Sequence, residues 1–259
     1  MPSTGMRTRH PTTWTFHRAT TRTPFALPPA ADAQASPPKE YPSAELIQLP
    51  APHPLRLSLG DVLGRRVSCR SFSGSPLPLA DLAALLAAAY GVREHRRWGE
   101  LEVWDRSVPS AGGLYPLEIY VITQRVAGVT PGVHHYHPLL HALELLASPP
   151  PPSGSLSALF MGQPYVAAAP AIVVFAAVFE RTMRKYGDRG YRYLLLEAGH
   201  AGENLALAAA CLGLGALSVG GFFDADLTAL LGLDGDAEAP IYVSAVGAIA
   251  ADTVDVRAL

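Results

Sequence analysis

Residues 171–179, Ala-Ile-Val-Val-Phe-Ala-Ala-Val-Phe, form an unbroken apolar run. A strand with one wet face alternates apolar and polar side chains, so a run of this kind must be covered on both faces. It predicts a central strand sandwiched between two layers. Pro78 to Tyr90 supplies one helix, with proline at its start, leucines at 79, 82, 85 and 86, and Gly91 as its stop. Tyr191 to Leu212 is the longest helix, ended by Gly213. Shorter helices are expected at Ser58 to Gly64, near 155–161, and from Asp224, its cap, to Leu231. Strands are expected at Leu117–Thr123, in a hairpin of Val133–Tyr136 and Ala142–Leu146 around His137-Pro138, at Leu217–Val219 and at Ile241–Ile249. Strands and helices mix without strict βαβ alternation, which favours an α+β fold over a doubly wound sheet.

Two regions follow from composition. Residues 1–55 read as a proline-rich arm, partly extended or disordered, because Pro28-Pro29, Pro37-Pro38, Pro42, Pro50, Pro52 and Pro54 oppose regular helix or central strand. Residues 56–259 read as one domain, with 92–106 as a polar and aromatic surface excursion. At 49% hydrophobic content the 259-residue chain can bury a substantial core. The net charge of −2 gives no electrostatic case for nucleic acid or for an anionic membrane. The uncharged stretch 205–223 is broken by Gly213, Gly215, Gly220 and Gly221, so it reads as a buried helix turning into a strand rather than a membrane span. Cys69 and Cys211 lie far apart without metal spacing, which suits a reduced cytoplasmic protein. The Arg- and Thr-rich start has no apolar signal core.

Several familiar patterns fail. Gly213-Leu-Gly215-Ala-Leu-Ser218 lacks the third glycine of a dinucleotide fingerprint and follows a helix instead of a strand. Ala216-Leu-Ser218-Val-Gly220 lacks the first glycine of a nucleophile elbow. His134, His135, His137 and His141 invite a metal reading, but in a strand 135 and 137 share one face while 134 faces away, and no acidic or cysteine ligand sits beside them in sequence. They read as ordinary hairpin surface.

Two segments carry chemistry. Arg66, Ser68 and Arg70 are spaced by two, so an extended backbone projects two guanidiniums and a hydroxyl to one side. A phosphate monoester accepts such a set, although a solvated basic loop has the same composition. In Pro109-Ser110-Ala111-Gly112-Gly113, the two glycines let backbone approach a flat ligand with no Cβ in the way; a plain turn is the alternative.

Together these segments resemble the nitroreductase family, whose Arg-x-Ser-x-Arg pattern binds the FMN phosphate and is followed by a Pro-Ser loop. The form Pro-Ser-Ala-Gly-Gly-Leu-Tyr-Pro at 109–116 resembles the SagB-type dehydrogenases, including azoline oxidases that work beside cyclodehydratases. The resemblance continues through Trp14-Thr-Phe-His17, Val133-His-His-Tyr136-His-Pro138, Arg189-Gly-Tyr191-Arg192, Glu197-Ala-Gly-His200 to Asn204, and Gly220-Gly221-Phe222. It departs at Val67, where many relatives carry Arg or His.

The resemblance implies a nitroreductase-like fold, mostly antiparallel, and a homodimer in which both subunits build each flavin site. It makes Arg66, Ser68, Arg70, Pro109, Ser110, Ala111, Gly112, Gly113, Asn204, Gly220 and Gly221 FMN-binding residues, with no metal. The Gly220-Gly221 pair would donate to flavin N5 and O4. Asn204 and His200, four apart, share a helix face and would orient the flavin or seal an interface. Lys185-Tyr186, holding one of only two lysines, resembles the catalytic Lys-Tyr pair of azoline oxidases. Converting an azoline to an azole removes a hydride equivalent and a proton. Free lysine is protonated at neutral pH, so burial with Arg181 and Arg184 nearby in sequence would have to ready Lys185 as the base. The implied substrate is a peptide or carrier-bound azoline. An NAD(P)H-dependent reductase of the same fold and a non-catalytic docking subunit of a heterocyclase are the alternatives.

Overall fold

The structure is a computed structural model that describes residues 5–22, 36–98 and 101–251; Pro28-Pro29 lies outside them, as do residues 252–259. Helices α1 (Met6–Arg9) and α2 (Pro11–Ala19) come first, followed by strand β1 (Glu45–Gln48). Then come α3 (Leu59–Arg65), α4 (Leu79–Tyr90), a hairpin of β2 (Val92–Trp98) and β3 (Leu101–Arg106), β4 (Leu117–Thr123), β5 (Gly132–His137) and β6 (Ala142–Ala147). The chain continues through α5 (Ser153–Leu159), α6 (Pro164–Ala167), β7 (Ala171–Val178), α7 (Phe179–Tyr186), α8 (Arg189–Cys211), β8 (Leu214–Val219), α9 (Asp224–Leu230) and β9 (Glu238–Ala248).

Seven strands form one antiparallel sheet in the order β1-β6-β5-β4-β7-β9-β8. The apolar run takes its expected central place, with β7 between β4 and β9. Its alternate residues feed two cores. Val173 and Phe175 join Ile119 and Val121 beneath α4 and α8. Ile172 and Val174 join Tyr120 and Ile122 beneath α5, α6 and α9. Both faces of an α+β sheet are thus filled by period-2 side chains of the same strands. Helix α8 approaches the sheet closely because its inner stripe is small: a methyl group at Gly202 would lie 2.6 Å from the Tyr242 ring.

Four sequence expectations change. First, the apolar run ends as a strand at Val178, and Phe179 opens a helix that no sequence signal had marked. Second, the surface excursion expected at 92–106 is ordered: residues 92–98 and 101–106 pair as a two-stranded sheet of their own, with 93–97 exposed. Third, the arm contains helix and strand. Pro11 is tolerated because it sits at the first position of α2, where its missing N–H has no partner to lose. Strand β1 adds to the sheet edge against β6, between Pro42 and Pro50, and Leu49 is buried in the core. Fourth, the histidines of β5 are not hairpin surface. β5 is an interior strand, so His134, His135 and His137 are buried, and strand pairing brings acids to them that are distant in sequence.

His135 lies between two carboxylates, 2.9 Å from Glu118 Oε2 and 2.7 Å from Glu144 Oε2. Glu118 also meets Arg181 at 2.5 Å and accepts the Lys39 N–H at 2.8 Å. Burial would raise the Glu118 pKa, but the hydrogen bond from His135 and the charge of Arg181 win and hold it down to about 2. Burial likewise opposes charge on His135, yet its bonds to Glu118 and Glu144 raise its pKa. The same network fixes the arm: Tyr41 N–H donates to Glu144, Lys39 Nζ pairs with Glu238 at 2.8 Å, and Arg181 donates to the Pro37 carbonyl.

Candidate active site

The segment 107–116 leaves β3 and enters β4 through a compact turn. Ser110 is extended, Gly112 and Gly113 have φ of +68° and +66°, and Tyr115 has φ of +46°. Glycine meets the first two demands without strain. Tyr115 is held in its unusual conformation by three contacts. Its N–H donates to Ser110 Oγ at 2.9 Å, its hydroxyl accepts the Arg106 N–H at 3.2 Å, and its carbonyl accepts Arg181 Nη1 at 3.4 Å. Asn204, reaching from α8, donates to the Ser107 carbonyl at 3.0 Å. Its role in this chain is to pin the start of the turn, while His200, one helical turn earlier, faces solvent.

Gly112 is the meeting point. A methyl group at this position would lie 2.7 Å from Tyr186 Oη and 3.1 Å from Lys185 Nζ. The two side chains arrive from the last turn of α7, both half-buried, with the Lys185 ammonium 5.7 Å from the Tyr186 ring centroid. Tyr186 packs edge-on against Tyr193 at 5.0 Å. Two motifs separated by some seventy residues of sequence are therefore in contact, lysine and tyrosine heads resting on bare glycine backbone. Arg181, expected beside Lys185, instead turns inward to Glu118, and Arg184 reaches Ser36 Oγ at 3.4 Å.

The other predicted residues stand elsewhere. Arg66, Ser68 and Arg70 follow α3 on an extended segment; Ser68 bridges Ala216 of β8, and the Cys69 N–H donates to the Ala216 carbonyl. Buried Cys69 points inward between them, while Ser68 and Arg70 are exposed and Arg66 is half-buried, 3.8 Å from Glu203. Ala216 pairs with Val246, Val246 with Ala171, and Ala171 with Thr123. The phosphate-type set is thus level with the Thr123 end of β4, whereas the glycine turn adjoins the Leu117 end. One chain does not bring the two together. Gly220 and Gly221 follow β8 as expected; nothing lies within 4 Å of a methyl group built on Gly220, and Gly221 faces Met161 and Gln163.

Sequence reasoning missed three supports of this region. Arg22 donates to the Tyr186 carbonyl at 2.9 Å, and Arg189 and Arg192 donate back to Thr20 O and Thr20 Oγ1 at 3.0 and 2.7 Å. Glu197, buried on the inner face of α8, accepts the Tyr90 hydroxyl at 2.6 Å and bonds the Ser110 hydroxyl. Arg181 links the turn to Glu118. A lone acid on an otherwise small, apolar helix stripe was the available signal for Glu197. Nothing in the sequence marked Arg22.

The fold is thus an antiparallel sheet covered by α4 and α8 on one face and by α5, α6 and α9 on the other, with glycine turns at strand ends. The chain belongs to the Nitroreductase family, whose model matches residues 63–248. It is 42% identical over 201 residues to MJ1384 of Methanocaldococcus jannaschii, a nitroreductase by name, covering 78% of this chain and 95% of that protein. It is 33% identical over 151 residues to the microcin B17-processing protein McbC of Escherichia coli, covering 55% and 54% of the two chains. A crystal structure from Anabaena variabilis, also a nitroreductase by name, superposes with a TM-score of 0.70 at 27% identity, covering 91% of this chain and 46% of that one. The chain thus spans about half the length of McbC and of the Anabaena protein. Among the described residues no helix is long and apolar enough to cross a membrane.

Proposed function

We propose that the chain is an FMN-dependent dehydrogenase of the SagB type that oxidises azoline rings of a peptide or carrier-bound substrate to azoles. The observation that carries this reading is the contact of Lys185 and Tyr186 with Gly112. It puts a base and a hydroxyl over the backbone that the resemblance assigns to the flavin. A simple reductase has no need of a base there. The name of McbC, a peptide-processing protein, supports the same branch.

The residues fit FMN. Gly113 and Gly220 leave backbone open to a flat ring, Gly112 and Gly221 border it beneath Lys185, Tyr186, Met161 and Gln163, Pro109, Ser110 and Ala111 shape the turn, and exposed Ser68 and Arg70 with half-buried Arg66 suit an anion. Because Arg66, Ser68 and Arg70 lie at the opposite sheet end from Gly112, one site draws on two copies of the chain, and the working unit is a homodimer. When bound, FMN would supply the acceptor for the hydride, with dioxygen as the final oxidant. The azoline loses two hydrogens, one as hydride and one as a proton. Lys185 Nζ takes the proton, and Tyr186 Oη holds the ring or relays that proton to solvent. Asn204 keeps the turn in register through the Ser107 carbonyl. A cyclodehydratase supplies the azoline.

Incubating the flavin-loaded protein with an azoline peptide gives a product lacking two hydrogens by mass spectrometry. Lys185→Ala lowers the rate by about 10²-fold or more, the size of a lost general base; a rate equal to that of the parent protein overturns the assignment. The name of MJ1384 favours a second reading, NAD(P)H-dependent reduction of a nitro, quinone or enone compound. Rapid bleaching of the flavin by NADPH in stopped flow, with no azoline turnover, would select it.

A further inference from the structure

We propose that Glu197 is a positioning residue that sets the donor direction of the Ser110 hydroxyl, and through it the hydrogen bond that the 110–113 turn offers to its ligand. The inference rests on the reading of that turn as flavin-facing. The geometry is closed on three sides. Glu197 is 2% exposed and projects from α8 between α4 and the turn. Tyr90, wholly buried on α4, donates its hydroxyl proton to Glu197 Oε1 at 2.6 Å and accepts the Leu117 N–H at 3.1 Å. The Ser110 hydroxyl bonds the same carboxylate and accepts the Tyr115 N–H at 2.9 Å. Each hydroxyl oxygen therefore accepts one backbone N–H and spends its single proton on Glu197. The remaining charged group facing the carboxylate is Arg106 of β3, whose guanidinium lies 4.5 Å from the Tyr90 ring centroid and 5.3 Å from that of Tyr115.

Protonating Glu197 changes this arithmetic. The neutral carboxyl must itself donate, to Tyr90 Oη or to Ser110 Oγ. If it donated to Tyr90, the phenol proton would be left without an acceptor inside a fully buried pocket, which is costly. Donation to Ser110 leaves no such orphan, because Ser110 is only half-buried and its proton can turn outward, to the open side of the turn. So the ionised acid draws the Ser110 proton inward, and the neutral acid releases it toward the ligand. Both forms are accessible near neutrality, since burial, only partly offset by Ser110, Tyr90 and Arg106, pushes the Glu197 pKa up to about 7.

The test measures FMN dissociation constants by fluorescence quenching across pH for the parent protein, Glu197→Gln and Ser110→Ala. A carboxamide donates permanently through its NH2, so Glu197→Gln mimics the neutral acid. The parent should bind FMN about three- to tenfold more weakly on the alkaline side, the value of one net hydrogen bond. Glu197→Gln should hold the acid-side affinity at all pH values, and Ser110→Ala should hold the alkaline-side affinity. A pH step that persists in either variant overturns the inference. Failure of the parent to take up FMN at all overturns the flavin reading instead. The link is then read without ligand, from the buried carboxyl band in infrared titration. That band should vanish in Glu197→Gln and shift its midpoint in Ser110→Ala; an unmoved midpoint in Ser110→Ala overturns the link.

Discussion

Gly112→Ala tests the contact on which the functional reading turns without touching either proposed catalytic side chain. Two penalties meet at this position. A Cβ at φ +68° costs about 1–2 kcal/mol in backbone strain alone. The same methyl group would sit 2.7 Å from Tyr186 Oη, and ordinary contact begins at 3.4 Å, so the hydroxyl must retreat by the difference of 0.7 Å. Lys185 Nζ, at 3.1 Å, must give by a further few tenths of an ångström. A displacement of about 1 Å can cost on the order of 10²-fold in rate, so the azoline turnover number should fall at least about tenfold. Thermal unfolding should shift by the strain term only.

The double-mutant cycle with Tyr186→Phe separates strain from geometry. Removing the hydroxyl removes the atom nearest the new methyl group, so the two substitutions should be non-additive in turnover, the double variant losing less than the product of the singles. Turnover is measured at saturating peptide and flavin, with the melting temperature recorded for each protein. Gly112→Ala at parental turnover, or strict additivity in the cycle, would refute the idea that the turn supports the Lys185-Tyr186 pair.

Two more predictions concern the supports. Glu118 titrates at about 2 in the fold against an ordinary 4.5, so its contribution is complete above pH 4.5 and is lost as pH falls toward 2; that is about 3 kcal/mol. Acid unfolding followed by circular dichroism should show this loss, and Glu118→Gln should destabilise the protein at neutral pH while flattening the acid limb; an unchanged acid limb refutes it. Arg22→Ala removes the guanidinium from the Tyr186 carbonyl and should lower azoline turnover several-fold while leaving FMN affinity unchanged, because Arg22 bonds the junction rather than the turn. Equal loss of FMN affinity would place the arm in the flavin site instead.

What was legible in the sequence followed from periodicity and chain stops. Ala171–Val178 had to be central because no polar residue interrupts it, and α4 and α8 were bounded by Pro78, Gly91 and Gly213. Helix α7 was invisible because Phe179 simply continues the apolar run and Phe179, Met183 and Tyr186 make only a two-turn stripe; its buried Arg181 is held by Glu118 and by the Tyr115 and Pro37 carbonyls, partners distant in sequence. The β5 histidines were misread for the same reason. The partners of His135, Glu118 and Glu144, are supplied by neighbouring strands β4 and β6, and register cannot be read from composition. The glycine turn was legible as backbone lacking Cβ, but its contact with Lys185 and Tyr186 depends on how α7 leaves the sheet.

The end of α7 is where these unread interactions converge. The arm reaches Tyr186 through Arg22, the turn reaches it through Gly112, and the sheet reaches the same helix through Arg181 and Glu118. The two outer supports differ in kind. Arg22, Arg189 and Arg192 donate to the Tyr186, Thr20 and His17 carbonyls and to the Thr20 hydroxyl, acceptors that do not titrate in acid; the contact of Arg192 with His17 Nδ1 is the exception among the described residues. The sheet side depends on ionised Glu118. Acid therefore weakens the grip on residues 37–41 and on Arg181 while the clasp of residues 17–22 keeps its bonds to oxygen acceptors. The Lys185-Tyr186 pair is held between a support built on an ionised carboxylate and one built mainly on neutral oxygen acceptors, with Glu197 setting a third, nearer to neutrality, beneath the turn itself.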